Sequence, residues 1–203
     1  MASPIEIAEL EKYCKEGVGL NIGCGSRQLG NSIGLDIDPK ASAAMIIADA
    51  ADLPIRDDSL DYIVSSHGLE HTMFAPLIVL REWLRCLKPG GILAIVVPDG
   101  YQGKVALEYS SRKGTMSRGG HTQLFTVQQL SDLVSFAGAT VLRAESLNRE
   151  PFWKTRVIIV VAVKDDSFSH GVARRSKMLW MTSILQTALP RSYLDRLRKK
   201  ARW

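Results

Sequence analysis

Residues 18–25 read Val18-Gly19-Leu20-Asn21-Ile22-Gly23-Cys24-Gly25, and they are the strongest indication of the fold. A short apolar run is typical of a strand buried in a parallel sheet. The glycine-x-glycine that ends it lets the backbone approach a ligand closely, since neither glycine has a Cβ atom. A purely structural turn would also require glycine, so the motif alone leaves both interpretations open.

On either side of this stretch, the chain alternates between strand and helix patterns. Further strands are predicted at residues 32–37, 44–47, 60–65, 92–97, 140–146 and 155–163. Capping boxes at residues 3–6 and 126–129 open two helices, and apolar spacing predicts another from Leu77 to Leu87. We expect the first helix to end at Gly17 and a turn at residues 88–91 to precede the fifth strand. Strands separated by helices favour a mainly parallel sheet covered on both faces.

Two aspartates stand at the ends of predicted strands, where an open parallel sheet binds its ligands. Asp36 ends the second strand, and a carboxylate there can accept both hydroxyl protons of a ribose. Asp49 follows the third strand and can accept from an exocyclic amine. A nicotinamide dinucleotide site would need a third small residue where Gln28 stands, followed by a strong helix. The pattern therefore favours a nucleoside ligand without phosphates.

Several motifs in order resemble those of class I S-adenosylmethionine-dependent methyltransferases. They are Leu20–Gly25, Gly34–Asp38, Ala48–Pro54, Asp58–Val64, Ser66–His71, Leu80–Gly91, and His121 before Phe125-Thr126. The resemblance covers residues 17–164 and implies an α/β, Rossmann-like sandwich with a mainly parallel seven-stranded sheet and an antiparallel last strand. Only eight residues separate Gly25 from Gly34, so the first crossover helix is expected to be shortened or missing.

The same resemblance implies the cofactor S-adenosyl-L-methionine and a set of residues that bind it. These are Gly23, Cys24 and Gly25 at the methionine part, Asp36 and Ile37 at the ribose, Asp49 and Ala50 at adenine, and Ser65 and Ser66 near the transferred methyl group. Asn21 stands where the family usually has an acidic residue. Within the class, the chain looks most like small bacterial proteins predicted to methylate in polysaccharide or sugar metabolism.

Three histidines are candidates for a general base that takes the proton of an acceptor hydroxyl: His67, His71 and His121. Glu70 is expected to orient one of them, to act as a weaker base itself, or to contact the acceptor. His71 could instead only cap the following helix. His121 precedes a capping box after a glycine-rich stretch, so it could be a solvated loop residue or part of a lid.

The remaining site expectations concern the acceptor and metals. Asp99 and Tyr101, after the fifth predicted strand, are expected to contact the acceptor. Glu70 and His71 are adjacent in sequence and make a poor ligand set by themselves, so we expect no metal.

The substrate class is narrowed by motifs that the sequence lacks. Enzymes that methylate amino groups of nucleic-acid bases carry an Asn/Asp-Pro-Pro-aromatic segment after the fourth strand, where this chain has Ser65-Ser66-His67-Gly68. Neither Cys24 nor Cys86 is placed to serve as the nucleophile of cytosine C5 methylation. These observations favour O-methylation of a small-molecule or glycan-linked acceptor.

Composition and charge indicate a folded chain with a distinct tail. With 203 residues, 46% apolar and 23% charged, the chain is neither disordered nor fibrous. Three distant cysteines predict no disulfide framework, the first residues do not form a secretory signal, and no apolar run is long enough for a membrane span, so we expect a cytoplasmic protein. Residues 172–203 carry a net charge of +8, whereas the rest carries −3.

We therefore expect a methyltransferase domain at residues 1–166 and a basic, amphipathic helical extension at 167–203. The extension is expected to pack on its own domain or on a second copy in a homo-oligomer. The next alternative is peripheral contact with the inner face of a membrane, and nucleic acid is the least favoured partner. Two alternative functions stay open: an RNA methyltransferase anchored by the tail, and a catalytically degenerate, membrane-associated binding module.

Overall fold

Seven strands form one sheet in the computed structural model, which describes residues 3–14, 16–100, 121–148, 156–175 and 178. In chain order they are β1 (Gly19–Ile22), β2 (Ile33–Asp36), β3 (Ile46–Ile47), β4 (Leu60–Ser66), β5 (Leu87–Pro98), β6 (Ala139–Asn148) and β7 (Arg156–Lys164). The spatial order is β3-β2-β1-β4-β5-β7-β6, with β7 antiparallel to both of its neighbours. The predicted α/β sandwich, mainly parallel with an antiparallel last strand, is confirmed.

Successive side chains of the central strands point to opposite faces of the sheet and belong to two different apolar clusters. Both faces of the sheet are therefore covered. The helices in the described ranges are α1 (Pro4–Glu11), α2 (Pro76–Cys86), α3 (Val127–Ala137) and a 3₁₀ turn (Leu69–His71), with residues 170–175 also helical. Ile63 and Leu93 belong to the larger cluster, which α2 and α3 join. Val64 and Ala94 belong to the smaller one, to which α1 contributes Leu10.

Two element boundaries differ from the sequence prediction. The capping box of α1 is formed as predicted, but the helix ends at Glu11 and not at Gly17. Gly17 has φ +110° and forms the turn into β1, so its conformational freedom serves the strand entry rather than the helix end. Residues 88–91, predicted as a turn before the strand, are an irregularity inside β5, between Leu87, which pairs with Leu60 of β4, and Ile92, where regular pairing with β4 resumes.

Residues 23–59, which join β1 to β4 by way of β2 and β3 and are all described by the structure, contain no helix. The expected shortening of the first crossover is therefore confirmed. The chain instead lies close against β2: a Cβ atom at Gly34 would sit 2.1 Å from the carbonyl oxygen of Ala43. These short connections keep the strand-end loops at one edge of the sheet.

Contacts between residues divide the chain into two compact units, residues 1–168 and residues 169–203. Most of the second unit lies outside the described residues, as does the stretch 101–120 with Tyr101 and the predicted lid. The domain boundary at 166/167 and the amphipathic character of the extension therefore stay predictions. Within the described ranges, no helix combines the length and apolar character that a bilayer crossing requires.

Candidate functional site

A cavity of about 240 Å³ opens at the carboxyl edge of the sheet. Its lining consists of Ile22, Gly23, Leu35, Asp36, Ile37, Ala48, Asp49, Ala50, His67, Gly68, His71, Thr72 and Met73. Four of these residues follow neighbouring strands in the order of the sheet: Asp49 after β3, Asp36 at the end of β2, Gly23 after β1 and His67 after β4. Residues far apart in sequence thus line one cavity because parallel strands bring their carboxyl ends to the same edge.

The carboxylate of Asp36 is held rigidly at the cavity wall. Its Oδ2 atom accepts a hydrogen bond from the backbone N–H of Gly25 at 2.8 Å, and its Oδ1 atom accepts one from the N–H of Asp38 at 2.9 Å. Each carboxylate oxygen has a second lone pair that can accept a ligand hydroxyl. Gly25 does not line the cavity itself, and its contribution is to orient Asp36.

The loop after β3 presents Asp49 and Ala50 from a fixed backbone. Asp49 lines the cavity, and its Oδ1 atom accepts from the N–H of Ala51 at 2.8 Å. The indole N–H of Trp83, a fully buried residue of α2, donates to the carbonyl oxygen of Ala50 at 2.8 Å. A core side chain therefore sets the position of this loop.

Two glycines bring the loops after β1 and β4 close together. Gly23 has φ +72°, and a Cβ atom on it would lie 3.3 Å from the Cα atom of Gly68. A Cβ atom on Gly68 would in turn lie 2.6 Å from Ser65 Oγ. Asn21, the departure from the family pattern, is buried and donates from its amide to the carbonyl oxygen of Arg27 at 2.9 Å. It therefore stabilises the loop after β1 without adding a charge.

His67 is clamped between two buried carboxylates. Its Nδ1 atom lies 3.1 Å from Glu70 Oε1, and its Nε2 atom lies 3.0 Å from Glu6 Oε2. Burial lowers the pKa of the imidazole, but the hydrogen bonds to Glu6 and Glu70 outweigh that effect and raise the pKa to about 9. Both ring nitrogens face a carboxylate and the raised pKa favours the charged form, so the structure does not support the expectation that His67 acts as a general base.

His71 and His121 lie side by side, with ring centroids 5.0 Å apart and ring planes inclined at 54°. His71 lines the cavity, and its side chain is 35% exposed. His71 Nε2 lies 3.9 Å from Oε1 of the buried Glu70. The structure thus brings together Glu70, His71 and His121, three of the residues for which the sequence predicted a role in catalysis or acceptor binding.

Other predicted cofactor residues face the protein interior. Burial, and then the charge of Asp36, raise the pKa of the Cys24 thiol to about 11, and this residue does not line the cavity. Ser65 is fully buried and donates to the carbonyl oxygen of Ile22 at 3.0 Å. Ser66 Oγ is buried without a hydrogen-bond partner among the described residues. Cys24, Ser65 and Ser66 are not among the residues that line the cavity, so the cavity does not support their expected contacts with the cofactor.

The expected acceptor contact through Asp99 is not supported either. Asp99 is 8% exposed, and its Oδ2 atom accepts from the hydroxyl of Ser146 on β6 at 2.6 Å. Asp99 is not part of the cavity lining. The carboxylate thus links β5 to β6, because the end of β5 lies beside the antiparallel pair β7 and β6. Tyr101, the other residue expected to contact the acceptor, lies outside the described residues.

Sequence reasoning missed several residues of the site. Glu6 has an evident local role in the capping box, so nothing in the sequence indicates that it also binds His67. Gly68 lies inside the motif at residues 66–71 but had no predicted role, and Thr72 and Met73 line the cavity without belonging to a motif. For Gly68, its position shortly after the end of the apolar strand β4 is a usable signal, as the position directly after β1 is for Gly23.

Comparisons with known proteins agree with this geometry. Residues 14–95 match a family model described as a methyltransferase domain. An uncharacterized protein of Methanocaldococcus jannaschii is 33% identical over 115 residues, which are 49% of this chain and 55% of the relative. The "Probable S-adenosylmethionine-dependent methyltransferase Rv3030" of Mycobacterium tuberculosis is 29% identical over 139 residues, 64% of this chain and 47% of that protein.

A solved structure shows the same fold. It is the Burkholderia thailandensis 1,6-didemethyltoxoflavin-N1-methyltransferase with bound 1,6-didemethyltoxoflavin and S-adenosylhomocysteine. The match has a TM-score of 0.60 at 18% identity and covers 80% of this chain and 78% of that one.

The seven-stranded sheet matches Rossmann-like methyltransferase folds, and the family model matches the segment of the chain that carries the cavity. Every residue that lines the cavity falls inside the matched segment, residues 14–95. The chain spans about half the length of the curated relatives it matches.

Proposed function

We propose that this protein transfers the methyl group of S-adenosylmethionine to an oxygen atom of a small-molecule or glycan-linked acceptor. The supporting observation is that Asp49, Asp36 and Gly23 line one cavity in the order of their strands. That order suits a ligand whose amine-bearing base, ribose diol and amino-acid end succeed one another across the sheet edge. Asp49 would accept from adenine, Asp36 from the ribose, and Gly23 would leave room for the methionine part.

The acceptor would enter beyond β4, where His71, Thr72 and Met73 complete the lining. In methyl transfer, the acceptor oxygen forms a bond to the methyl carbon as the carbon–sulfur bond breaks, and the hydroxyl proton leaves. The cofactor supplies the activated carbon, and the protein contributes mainly by holding both reactants in line, an effect of up to about 7–11 kcal/mol. Because both ring nitrogens of His67 face carboxylates, the proton of the acceptor would leave on the His71 side.

The preference for oxygen rests on the residues at the end of β4 and directly after it. The segment Ser66-His67-Gly68 has neither the prolines nor the aromatic residue with which amino-methylating enzymes hold a nucleic-acid base. The solved methyltransferase that shares the fold acts at nitrogen, but the fold alone does not decide the chemistry. Polysaccharide or sugar metabolism is the setting we propose for the acceptor.

The test combines binding with product analysis. Calorimetry with S-adenosylhomocysteine should show one site per chain, and mass spectrometry should detect a methyl ether after incubation with S-adenosylmethionine and a panel of sugar and glycan acceptors. Absence of both binding heat and thermal stabilisation at millimolar ligand would instead indicate a non-catalytic module. Methylation of RNA alone, falling steeply with salt, would replace the proposed acceptor class.

A further inference from the structure

Three side chains beside the cavity form a potential metal site. Glu70, His71 and His121 each offer one ligand atom, and these atoms lie within 4.8 Å of one another. Two imidazole nitrogens and one carboxylate oxygen are ligands that Zn²⁺ and related first-row divalent ions accept. Glu70 and His71 alone were too few to predict a metal, and the tertiary structure adds His121 as the third ligand.

The state of Glu70 is an independent indication that a cation belongs here. The residue is 1% exposed, and its Oε1 atom faces His67 Nδ1 at 3.1 Å. Its other oxygen, Oε2, is buried and has no hydrogen-bond partner among the described residues. Leaving a buried carboxylate oxygen unsatisfied is costly, and a metal ion would satisfy it.

The approach of His121 is held in place by its own segment. The backbone N–H of Thr122 donates to the carbonyl oxygen of Glu70 at 2.8 Å, and its hydroxyl donates to the carbonyl oxygen of Thr72 at 2.8 Å. The side-chain amide of Gln123 also donates to the Thr72 carbonyl, at 3.2 Å. These contacts anchor the third ligand against the 3₁₀ turn that carries the other two.

We propose that Glu70, His71 and His121 bind one divalent transition-metal ion, with Zn²⁺ as the reference ion, at the acceptor end of the cavity. In a tetrahedral zinc site the ligand atoms lie about 3.4 Å apart, so a rotation of the partly exposed His71 and His121 side chains closes the site. His67 orients Glu70 by holding its Oε1 atom.

The role of the ion, unlike its binding, rests on the proposed function. A hydroxyl bound to the ion loses its proton to solvent more readily than a free one. The resulting alkoxide oxygen then attacks the methyl carbon. A carbon–oxygen bond forms, the carbon–sulfur bond breaks, and the pair of electrons stays on the neutral sulfur of S-adenosylhomocysteine. His71 is then a metal ligand at the acceptor rather than a base.

Metal binding is tested on untagged, full-length protein stripped with a chelator. Calorimetry with ZnCl₂ should show one ion per chain, and Co²⁺ should give visible d–d absorption. His71→Ala and His121→Ala should each weaken Zn²⁺ binding by at least about 100-fold, since loss of a ligand exceeds the 10–100-fold effect of an outer-shell partner. The matched control is His170→Ala, which removes a histidine of the second unit of the chain and should bind Zn²⁺ like the wild type.

Two results would overturn the inference: no stoichiometric Zn²⁺ binding by the wild-type protein, or equal affinity in wild type and His121→Ala. Both histidine variants change partly exposed side chains, so folding does not decide the outcome, as it could for Glu70→Gln. Binding of S-adenosylhomocysteine and methyl transfer are measured on the same samples. Methyl transfer that persists in chelator, without Zn²⁺ binding, refutes only the metal site. Zn²⁺ binding without any methyl transfer confirms the metal site and refutes only the proposed function.

Discussion

The Nε2 atom of His67 lies 3.0 Å from Oε2 of Glu6, although the two residues are 61 positions apart. This contact joins α1 to the loop after β4 at the wall of the cavity. Glu6 is fully buried, and the opposite nitrogen of the same ring faces the equally buried Glu70. A charged imidazole between two buried carboxylates therefore links the first helix to the site.

The first prediction concerns the pH dependence of stability. The pKa of His67 in the folded protein, about 9, is above its ordinary value of 6.5, so its stabilising effect is complete below about pH 6.5 and is lost as pH rises through 9. In metal-free buffer, the unfolding free energy of the wild type should exceed that of His67→Gln by about 3 kcal/mol more at pH 6 than at pH 10. Urea denaturation at both pH values measures this. A difference that does not change with pH would show that the ring is neutral in the folded state.

Asp36→Ala should weaken binding of S-adenosylhomocysteine by at least about 1.5 kcal/mol, more than tenfold in Kd. The change removes the acceptor for the ribose hydroxyls and also the partner of the Gly25 N–H. The matched control is Asp38→Ala, which removes a nearby carboxylate that is not part of the cavity lining. Calorimetry that gives the same Kd for Asp36→Ala and the wild type would remove Asp36 from the site.

Asp49 should determine the preference for adenine. The wild type is expected to bind S-adenosylhomocysteine several-fold more tightly than S-inosylhomocysteine, which lacks the exocyclic amine, and Asp49→Ala should lose most of that preference. The reason is that Asp49 lines the cavity while its Oδ1 atom is held by the Ala51 N–H. The comparison forms a double-mutant cycle between protein and ligand, with Asp52→Ala as the control. An unchanged preference in Asp49→Ala would place adenine elsewhere.

Arg85 should be a major determinant of stability. Its guanidinium binds Glu82 at 2.8 Å and Asp57 at 2.7 Å, and Glu82 in turn accepts from the N–H of Leu53 at 2.9 Å. Arg85→Met leaves the Glu82 carboxylate buried without its cation, so we expect the unfolding free energy to fall by about 3–5 kcal/mol. The helix neighbour Arg81→Met should cost less than about 1 kcal/mol. Denaturant titration of both variants measures these losses of unfolding free energy. Equal losses in Arg85→Met and Arg81→Met would contradict a stabilising role for the contacts of Arg85.

Removing residues 169–203 should leave the affinity for S-adenosylhomocysteine unchanged. All residues that line the cavity lie between Ile22 and Met73, within the first unit of the chain. Calorimetry on the shortened protein, with circular dichroism as a check on folding, measures the effect. A large loss of affinity in a folded sample would mean that the removed segment contributes to cofactor binding.

The strands, both capping boxes and the two aspartates at strand ends could be predicted from the amino-acid sequence alone. Each depends on residues close together in the chain: apolar runs, cap spacing, or a carboxylate that directly follows a strand. Asp36 and Asp49 meet in one cavity because parallel strands end at one edge, a rule that needs only the order of strands. The family motifs lie in these same local patterns.

Which of the predicted side chains act together depends instead on how the chain packs in three dimensions. Ser65 turns towards the Ile22 carbonyl, and Cys24 is buried against the sheet, because packing selects the face on which each lies. His121 reaches His71, and Glu6 reaches His67, across gaps of about 50 and 61 residues. No local pattern encodes these contacts, since they arise when distant segments pack on one core and find buried polar partners.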